Sequence, residues 1–396
     1  MDFLYTVYIR DRFLPADNFQ ILSRIECDIK VDKECFTLLY FFVCLIFTIK
    51  EKPGKVLGRS RTEGMKWNCL SSSLLPQSLQ EACSILGAHN GKAVLLAGGT
   101  ALLVALRYRL RKPAVVIGLK GLTALDYISR NGSGGLIIGS MSTLQTLEKS
   151  PFVLNDYPPL AQAIQLVAIP PIRNKATIGG NLCLDNRCMY YNQSGFWRSG
   201  QKTCFRLGGT VCHAVEKGRR CQAVYQGDLA PVLIAMGAEV KIASAKGERT
   251  IPLGEFYTGK GEKSNVLKPD ELLVEIRIPS LAEGTACAYE KLRVREGMEF
   301  PMAGAAVMVR RNRSGIIEKA KIVLGAVGPS PTEVPKAAGL LEGNKPTDDL
   351  LQLVSREAID GATPVLNLAM NAGYRRKMVG VLVKRALRKA LAIADC

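Results

Sequence analysis

Four cysteines that lie close together in the sequence could bind a metal ion or a redox cluster. They are Cys188, Cys204, Cys212 and Cys221, with the spacing C-x15-C-x7-C-x8-C. Thiolates ligate both zinc and iron–sulfur clusters, but structural zinc sites usually draw cysteines as pairs about two to four residues apart. Disulfides would require an oxidising compartment, and buried free thiols are common. The spacing alone therefore leaves a cluster, zinc, disulfides and free thiols open.

Histidine chemistry has little support, because the chain holds only two histidines, His89 and His213. A two-His-one-carboxylate iron site, a His-rich catalytic zinc site and a Ser-His-Asp triad all need residues that this sequence does not offer. His213 follows Cys212 and could ligate a metal or hydrogen-bond a sulfur. A lone surface histidine is the simpler interpretation.

Two glycine turns could bring backbone N–H groups close to a phosphate. The first glycine turn (97–101, AGGTA) follows a continuous apolar run at 92–96, which predicts a buried strand, and precedes a helical pattern. The second glycine turn (177–181, TIGGN) follows a proline-rich turn. Glycines at such turns let N–H groups approach an anion, although ordinary tight turns use Gly-Gly as well. No third glycine completes a dinucleotide-binding fingerprint, but the two turns together could clasp one pyrophosphate.

The chain is long and basic, with 396 residues and a net charge of +18. This length allows two or three domains. A basic surface could attract nucleic acid, acidic electron carriers or acidic subunits. We expect no nucleic-acid partner, because zinc-finger pairs, an RNA-recognition aromatic motif and an arginine-rich tail are all missing from the sequence.

Residues 1–64 differ in character from the rest and hold 10 Lys or Arg against 9 Asp or Glu. Their apolar run at 36–49 is 14 residues long, short of the roughly 20 that a membrane-spanning helix needs, and no A-x-A-like cleavage site follows it. We therefore expect a cytoplasmic protein whose ordinary domain begins at Met65, with translation starting there as the simplest explanation. A membrane-anchoring extension is the alternative for residues 1–64.

From Met65 onward, strand and helix patterns alternate. A helix is predicted at 78–86, strands at 92–96, 114–119 and 136–140, and a helix-like segment at 122–128. From about Gly284, three apolar segments predict antiparallel strands, and helical patterns follow at 348–359 and 375–393. The pattern predicts an α+β fold with a small C-terminal domain.

Several motifs in order resemble those of a known family. They are AGGTALL, IGSMST, RNKATIGGN, GDLAPVLIAMGA, LKPDELLVEIRIP and YEKLRVREGMEFPMAGAA. Together they resemble the FAD-binding medium subunits of the molybdenum hydroxylases, which include xanthine dehydrogenase and carbon monoxide dehydrogenase. The resemblance covers residues 65–396. Residues 184–226, here called the cysteine insert, lengthen a segment that is short in most of these subunits, and the insert is similar to that of the 4-hydroxybenzoyl-CoA reductase β subunit.

The resemblance implies a two-lobed FAD-binding domain over residues 65–283, interrupted by the cysteine insert. It also implies a C-terminal flavoprotein domain over 284–396, with a three-stranded antiparallel sheet and helices. It further implies that backbone amides of both glycine turns face the FAD diphosphate, and that Thr177 adds a hydroxyl. The implied FAD site comprises Ala97, Gly98, Gly99, Thr100, Ala101, Thr177, Ile178, Gly179, Gly180, Asn181, Asp228, Leu273 and Lys291.

Three of these positions have equally ordinary structural interpretations. The resemblance puts Asp228 on the flavin side of the cofactor, but an Asp before an apolar helix is also a good N-cap. Leu273 and Lys291 match contacts near the flavin ring, yet they could be a strand core residue and an exposed strand lysine. The resemblance also implies that Cys188, Cys204, Cys212 and Cys221 hold a [4Fe–4S] cluster, and it leaves Cys183 as a free thiol.

The function implied is electron transfer, since no catalytic residue and no molybdopterin site are recognisable. The expected partners are a large molybdopterin subunit and a small subunit with [2Fe–2S] clusters, in a heterotrimer that dimerises. A ferredoxin-type donor would supply electrons for reductive dehydroxylation of 4-hydroxybenzoyl-CoA to benzoyl-CoA. A related aldehyde, purine or carbon monoxide oxidoreductase is one alternative. A zinc-binding module without a redox role is the other.

Overall fold

The computed structural model describes residues 72–394. The predictions for residues 1–64, and for a start of the ordinary domain at Met65, lie outside the described residues. No helix within residues 72–394 is long and apolar enough to cross a membrane.

The first lobe contains a three-stranded parallel sheet. Its elements are β1 (Ser72–Leu74), α1 (Leu79–His89), β2 (Ala93–Leu96), α2 (Leu102–Arg107) and β3 (Val115–Gly118). The strand order is β1-β3-β2. Helix α1 begins where the Ser78 hydroxyl accepts a hydrogen bond from the Glu81 N–H at 3.1 Å, which satisfies an amide that has no partner within the helix. The predicted strand β2 is present, but its residues are half-buried rather than buried.

The second lobe contains a five-stranded antiparallel sheet with helices packed against it. Its strands are β4 (Ile128–Arg130), β5 (Leu136–Gly139), β6 (Glu239–Ser244), β7 (Gly247–Pro252) and β8 (Leu272–Ile278). Its helices are α3 (Leu144–Lys149), α4 (Pro151–Asp156), α5 (Pro158–Gln165), α6 (Pro170–Arg173), α7 (Ile178–Leu182) and α9 (Leu229–Ala235), and a further helix, α8 (Gly195–Ser199), lies in the cysteine insert. The strand order is β4-β5-β8-β6-β7, and α9 is buried along its whole length.

The prediction of a helix-like segment at 122–128 was wrong. It forms only a 3-10 turn, Thr123–Leu125, and then becomes strand β4. Ile128 in β4 pairs with Ile138 in β5. Pairing at the sheet edge therefore determines the conformation of this segment, in spite of its helical pattern.

The C-terminal domain is a four-stranded antiparallel sheet covered by helices. Its elements are β9 (Thr285–Leu292), β10 (Ala303–Arg311), β11 (Ile317–Gly325), β12 (Thr332–Glu333), α10 (Pro335–Gly339), α11 (Asp348–Glu357) and α12 (Ala372–Ala394). The strand order is β12-β11-β10-β9, so a short edge strand joins the three that the sequence predicts. Helix α12 packs on β9 and β10, and α9 of the second lobe packs against β10 and β11.

One buried arginine ties together three separate segments of this domain. The Arg375 guanidinium in α12 donates hydrogen bonds to the carbonyl oxygens of Met302 at 2.7 Å, Ala326 at 2.7 Å and Val365 at 2.6 Å. Its residue is 1% exposed. Carbonyl acceptors thus satisfy the donors of a guanidinium that burial has removed from water.

Candidate functional site

The first glycine turn lies directly against the residues that lead into the second, although 77 positions separate Gly98 from Lys175 in the chain. A Cβ atom on Gly98 would stand 1.8 Å from the carbonyl oxygen of Lys175 and 3.1 Å from the Cα of Ala176. Both of these residues immediately precede the second glycine turn. Only glycine permits this approach, so the sequence at Gly98 determines how closely the two lobes meet.

The first glycine turn has backbone N–H groups that remain available. Within residues 72–394, the N–H groups of Gly98, Gly99 and Thr100 donate to no protein acceptor. Gly99 has φ +76°, in the left-handed region that glycine adopts without strain. Successive free amides in a turn form a concave site for an anion. The first glycine turn thus presents the kind of amide group that a phosphate site uses, and its role in phosphate binding stays a prediction.

The second glycine turn uses its amides differently from the prediction. The N–H of Ile178 donates to Ser142 O at 3.0 Å, and that of Gly179 donates to Ser140 O at 2.9 Å. The Thr177 hydroxyl accepts from the Gly180 N–H at 3.0 Å, and the Thr177 carbonyl accepts from the Asn181 N–H at 2.9 Å. Since all four N–H groups have protein acceptors, the expectation that they point at a diphosphate needs correction.

The second glycine turn contributes a closely packed backbone and one polar side chain to the site. A Cβ on Gly179 would stand 2.7 Å from Ser140 Cβ, so glycine lets this turn pack against the residue that follows β5. The side-chain oxygen of Asn181 is buried and has no hydrogen-bond partner in the described part of the chain. An unsatisfied buried acceptor costs about 1–3 kcal/mol. A ligand that donates a hydrogen bond there would remove this cost.

Asp228 and Lys291 form a buried ion pair. Lys291 Nζ donates to Asp228 Oδ2 at 3.0 Å, and the Tyr289 hydroxyl donates to Asp228 Oδ1 at 2.9 Å. The two charged side chains are 1% exposed for Lys291 and 5% for Asp228. Burial raises the pKa of Asp228, and the ammonium of Lys291 and the hydroxyl of Tyr289 oppose that rise.

This pair excludes two ordinary interpretations of its members. Asp228 stands at the start of α9, but its side chain makes no capping hydrogen bond. Lys291 is not an exposed strand lysine, because its ammonium also donates to the carbonyl oxygens of Leu166 at 2.8 Å and Glu299 at 3.0 Å. Three acceptors fix the ammonium where the end of α5, the start of α9 and β9 meet.

Leu273 lies in the apolar core, as the structural alternative expects. It is 5% exposed in β8 and packs in the core of the second lobe. The next residue, Val274, accepts a hydrogen bond at its carbonyl from the Ser140 N–H at 2.8 Å. Leu273 is therefore one position from the strand residue that anchors the second glycine turn.

All four cysteines of the insert line one cavity. Cys188, Cys204, Cys212 and Cys221 share it with aromatic, apolar and cationic side chains, including Tyr191 and Arg206. Within residues 72–394, no three His, Cys, Asp or Glu side chains come close enough together to hold a single metal ion. The thiols thus surround a common space without meeting at one point.

The cavity wall is tied to the first lobe. The Arg206 side chain, 5% exposed, is ion-paired with Asp185 and stacks over the Tyr191 ring at 4.2 Å. The Tyr191 hydroxyl donates to Leu110 O at 3.1 Å, and Arg111 pairs with Asp185 at 3.0 Å. These contacts hold the cysteine insert against the segment that follows α2. The first glycine turn directly precedes the same helix.

Cys183, which the resemblance leaves as a free thiol, does not line the cavity. It packs against the core of the second lobe, and burial raises its pKa to about 12. Burial also raises the pKa of Cys188 and raises that of Cys221 to about 11, so position outside the cavity, and not thiol pKa, distinguishes Cys183 from the other four cysteines.

Sequence reasoning missed several residues that shape the site. Ser140 and Ser142 anchor the second glycine turn, Tyr289 holds Asp228, and Arg206 lines the cysteine cavity. The motif IGSMST pointed to the serines, and the strand motif YEKLRVR contains Tyr289 two positions before Lys291. Nothing in the local sequence singled out Arg206.

Family models match nearly all of the described chain. A model of the FAD binding domain in molybdopterin dehydrogenase matches residues 69–281, and one of the CO dehydrogenase flavoprotein C-terminal domain matches residues 287–390. The carbon monoxide dehydrogenase medium chain of Hydrogenophaga pseudoflava is 31% identical over 318 residues, which cover 80% of this chain and 96% of that relative. The nicotinate dehydrogenase FAD-subunit of Eubacterium barkeri is 28% identical, over 74% of this chain and 83% of that relative.

Solved structures share the fold. Carbon monoxide dehydrogenase from Hydrogenophaga pseudoflava superposes with a TM-score of 0.68 at 30% identity, over 81% of this chain and 96% of that one. Quinoline 2-oxidoreductase from Pseudomonas putida 86 superposes with a TM-score of 0.65, over 82% of this chain and 97% of that one. At 24% identity, the second likeness concerns the fold alone.

Proposed function

This chain belongs to the FAD-binding subunits of the molybdopterin dehydrogenases, and from that premise we propose that it relays electrons through FAD and a [4Fe–4S] cluster. The [4Fe–4S] cluster is proposed because all four insert cysteines line one cavity. A cluster of four irons keeps its thiolates apart, whereas one zinc ion draws its four ligands to within about 2.3 Å of a single point.

The glycine turns fit an FAD diphosphate in an asymmetric way. The free N–H groups of Gly98, Gly99 and Thr100 would hold the phosphate oxygens, and Ala97 and Ala101 would flank them. The second turn, from Thr177 to Asn181, would close the other side of the site. There the buried Asn181 side-chain oxygen, which has no partner among the described residues, could accept a hydrogen bond from the cofactor. Gly179 allows the turn to pack closely on Ser140.

We propose that Asp228, Lys291 and Leu273 lie toward the flavin end of the cofactor. Bound FAD exchanges electrons with both one-electron and two-electron carriers. The protein's part is to hold the Lys291 ammonium at a fixed point through its three acceptors. A fixed cation stabilises negative charge nearby without having to reorganise.

The cavity chemistry suits an anionic cluster. Four thiolates bring negative charge into a largely buried space, which is costly without a counter-charge. The Arg206 guanidinium lines the same cavity and is itself almost fully buried. A thiolate-bound cluster can then serve at a low potential, tuned by nearby charge and exposure.

Within a complex, we propose a large molybdopterin subunit and a small subunit with [2Fe–2S] clusters as partners. A ferredoxin-type donor would deliver electrons, and the complex would remove the phenolic hydroxyl of 4-hydroxybenzoyl-CoA reductively to give benzoyl-CoA. Similarity of the cysteine insert to that reductase's β subunit supports this choice. Carbon monoxide oxidation is the second candidate, because a relative with 31% identity is named a carbon monoxide dehydrogenase.

Anaerobic purification of the native complex tests the proposal. We expect FAD and, in this subunit, about four iron atoms per chain, together with reduction of 4-hydroxybenzoyl-CoA by reduced ferredoxin. Zinc in place of iron would overturn the cluster. Turnover of carbon monoxide without turnover of the thioester would assign the complex to the second candidate.

A further inference from the structure

The cysteine insert carries apolar side chains that face solvent. Phe196 is 92% exposed, Leu207 46% and Trp197 39%. Exposed apolar residues scattered singly need no explanation, whereas several that are grouped within one short segment are candidates for an interaction site. Phe196 and Trp197 lie in α8, whose start is capped by the Ser194 hydroxyl, which accepts from the Trp197 N–H at 3.2 Å.

Exposed basic residues flank the same segment. They are Lys202, Lys217, Arg219 and Arg220. Between residues 202 and 220 the only acidic residue is Glu216. We call these four basic residues, together with Phe196, Trp197 and Leu207, the insert face.

Four members of the insert face, Trp197, Lys202, Leu207 and Arg220, contact or adjoin residues that line the cysteine cavity. The Trp197 ring is 6.2 Å from that of Tyr190, which lines the cavity. The carbonyl of Lys202 lies 2.7 Å from Nε2 of His213, another lining residue. Leu207 and Arg220 are sequence neighbours of the lining residues Arg206 and Cys221. The cavity is therefore close to the surface at the insert face.

We propose that the insert face is the docking surface for a small acidic electron-carrier protein. This inference rests on the proposed function, since it gives the four-cysteine cavity a source of electrons. Positive charge on this face complements an acidic partner and steers its encounter. The exposed aromatic side chains provide an apolar centre, the residue type that contributes most of the affinity at protein interfaces.

The transfer is balanced without any proton movement. One electron leaves the reduced carrier, which is oxidised, and enters the group held by the four thiolates, which is reduced by one electron. A transient complex suits this step, because the carrier must leave before the next one arrives.

Charge reversal at the insert face, in the assembled holo-complex, tests the docking. The double variant Arg219→Glu/Arg220→Glu is compared with Arg313→Glu/Lys319→Glu, which reverses two exposed basic residues of the C-terminal domain. Two reductants are used: a reduced bacterial [4Fe–4S] ferredoxin, which is acidic, and the methyl viologen radical, which is a small cation. Flavin reduction is followed by stopped flow at low and high salt.

We expect the insert-face double variant to be reduced by ferredoxin at least tenfold more slowly at low salt, with a weaker dependence on salt. Methyl viologen should reduce it as fast as the wild type or faster, and the control variant should behave as wild type with both reductants. Phe196→Ser should slow ferredoxin without changing the salt dependence.

Equal ferredoxin rates in both double variants would overturn the docking surface. So would failure of the insert-face variant to assemble with its subunits, which would make this face a subunit contact, or preferential binding of single-stranded nucleic acid by the wild type. The ferredoxin rates are compared only between assembled complexes whose iron content equals that of the wild type. Absence of iron from this subunit of the wild-type complex, as distinct from the iron of the small subunit, would instead overturn the proposed function.

Discussion

Gly98 lies against the carbonyl oxygen of Lys175, so close that a Cβ atom on the glycine would stand 1.8 Å from that oxygen. The contact joins the first lobe to the residue two positions before the second glycine turn. The two turns therefore keep their spacing only while position 98 has no side chain.

Replacing Gly98 by alanine should weaken FAD binding. The methyl group must push Lys175 away, and forced overpacking of this kind costs about 1–3 kcal/mol, or at least about fivefold in affinity. FAD content after gel filtration measures the effect. Gly132→Ala is the matched control, because a Cβ there meets nothing within 4 Å. Full flavin content in the Gly98 variant would show that the phosphate does not lie between the turns.

Cys204→Ser should remove the cluster, whereas Cys183→Ser should leave it intact. Cys204 lines the cavity with the other three cysteines that we propose as ligands, whereas Cys183 packs against the core of the second lobe. Iron content and low-temperature electron paramagnetic resonance of the reduced proteins distinguish the two. FAD should stay bound in both, because Tyr191 and Asp185, and not the thiols, anchor the insert to the first lobe. A complete cluster signal in Cys204→Ser would contradict the ligand assignment.

Asp228→Asn should destabilise the protein by about 3–5 kcal/mol, because it leaves the Lys291 ammonium buried without an opposite charge. Tyr289→Phe removes one hydrogen bond to the carboxylate and should cost about 1.5–3 kcal/mol. Denaturant unfolding of the two variants gives the comparison. Asp360→Asn, which breaks an ion pair whose Asp360 side chain is 75% exposed, should cost at most about 1 kcal/mol. Equal losses in Asp228→Asn and Asp360→Asn would show that burial does not govern the pair.

Arg206→Gln should lower the reduction potential of the cluster, because a cation beside it favours the added electron. A unit charge about 10 Å away contributes roughly 1.7 kcal/mol at an effective dielectric constant of about 20, which is roughly 70 mV for one electron. Arg206→Lys keeps the charge and should move the potential much less. Redox titration followed by electron paramagnetic resonance measures both. Equal shifts in the two variants would assign Arg206 a packing role alone.

Local sequence patterns predicted the elements that depend on local signals. The Ser78 cap begins α1 one residue later, as the N-cap rule requires. The alternating apolar segments after Gly284 are strands β9, β10 and β11. The two glycine turns were expected to meet on one pyrophosphate, and the structure brings them into contact at Gly98.

Features that depend on contacts between residues far apart in the chain could not be predicted from local sequence patterns. Residues 122–128 have a helical pattern, but Ile128 pairs with Ile138 and becomes a strand. The amides of the second glycine turn are used by Ser140 and Ser142, about 40 positions earlier, and only the three-dimensional structure reveals this. Lys291 alternates like an exposed residue, yet its acceptors come from three separate segments and bury it.

The ion pair between Asp228 and Lys291 crosses from the region matched by the first family model to the region matched by the second. Its members are 63 positions apart, so Asp228 leaves the ribosome well before its partner. Until β9 has been synthesised, the carboxylate at the start of α9 has no ammonium to accompany it into the interior. The order of synthesis therefore leaves the Asp228 carboxylate without its counter-charge until the second domain has begun to emerge.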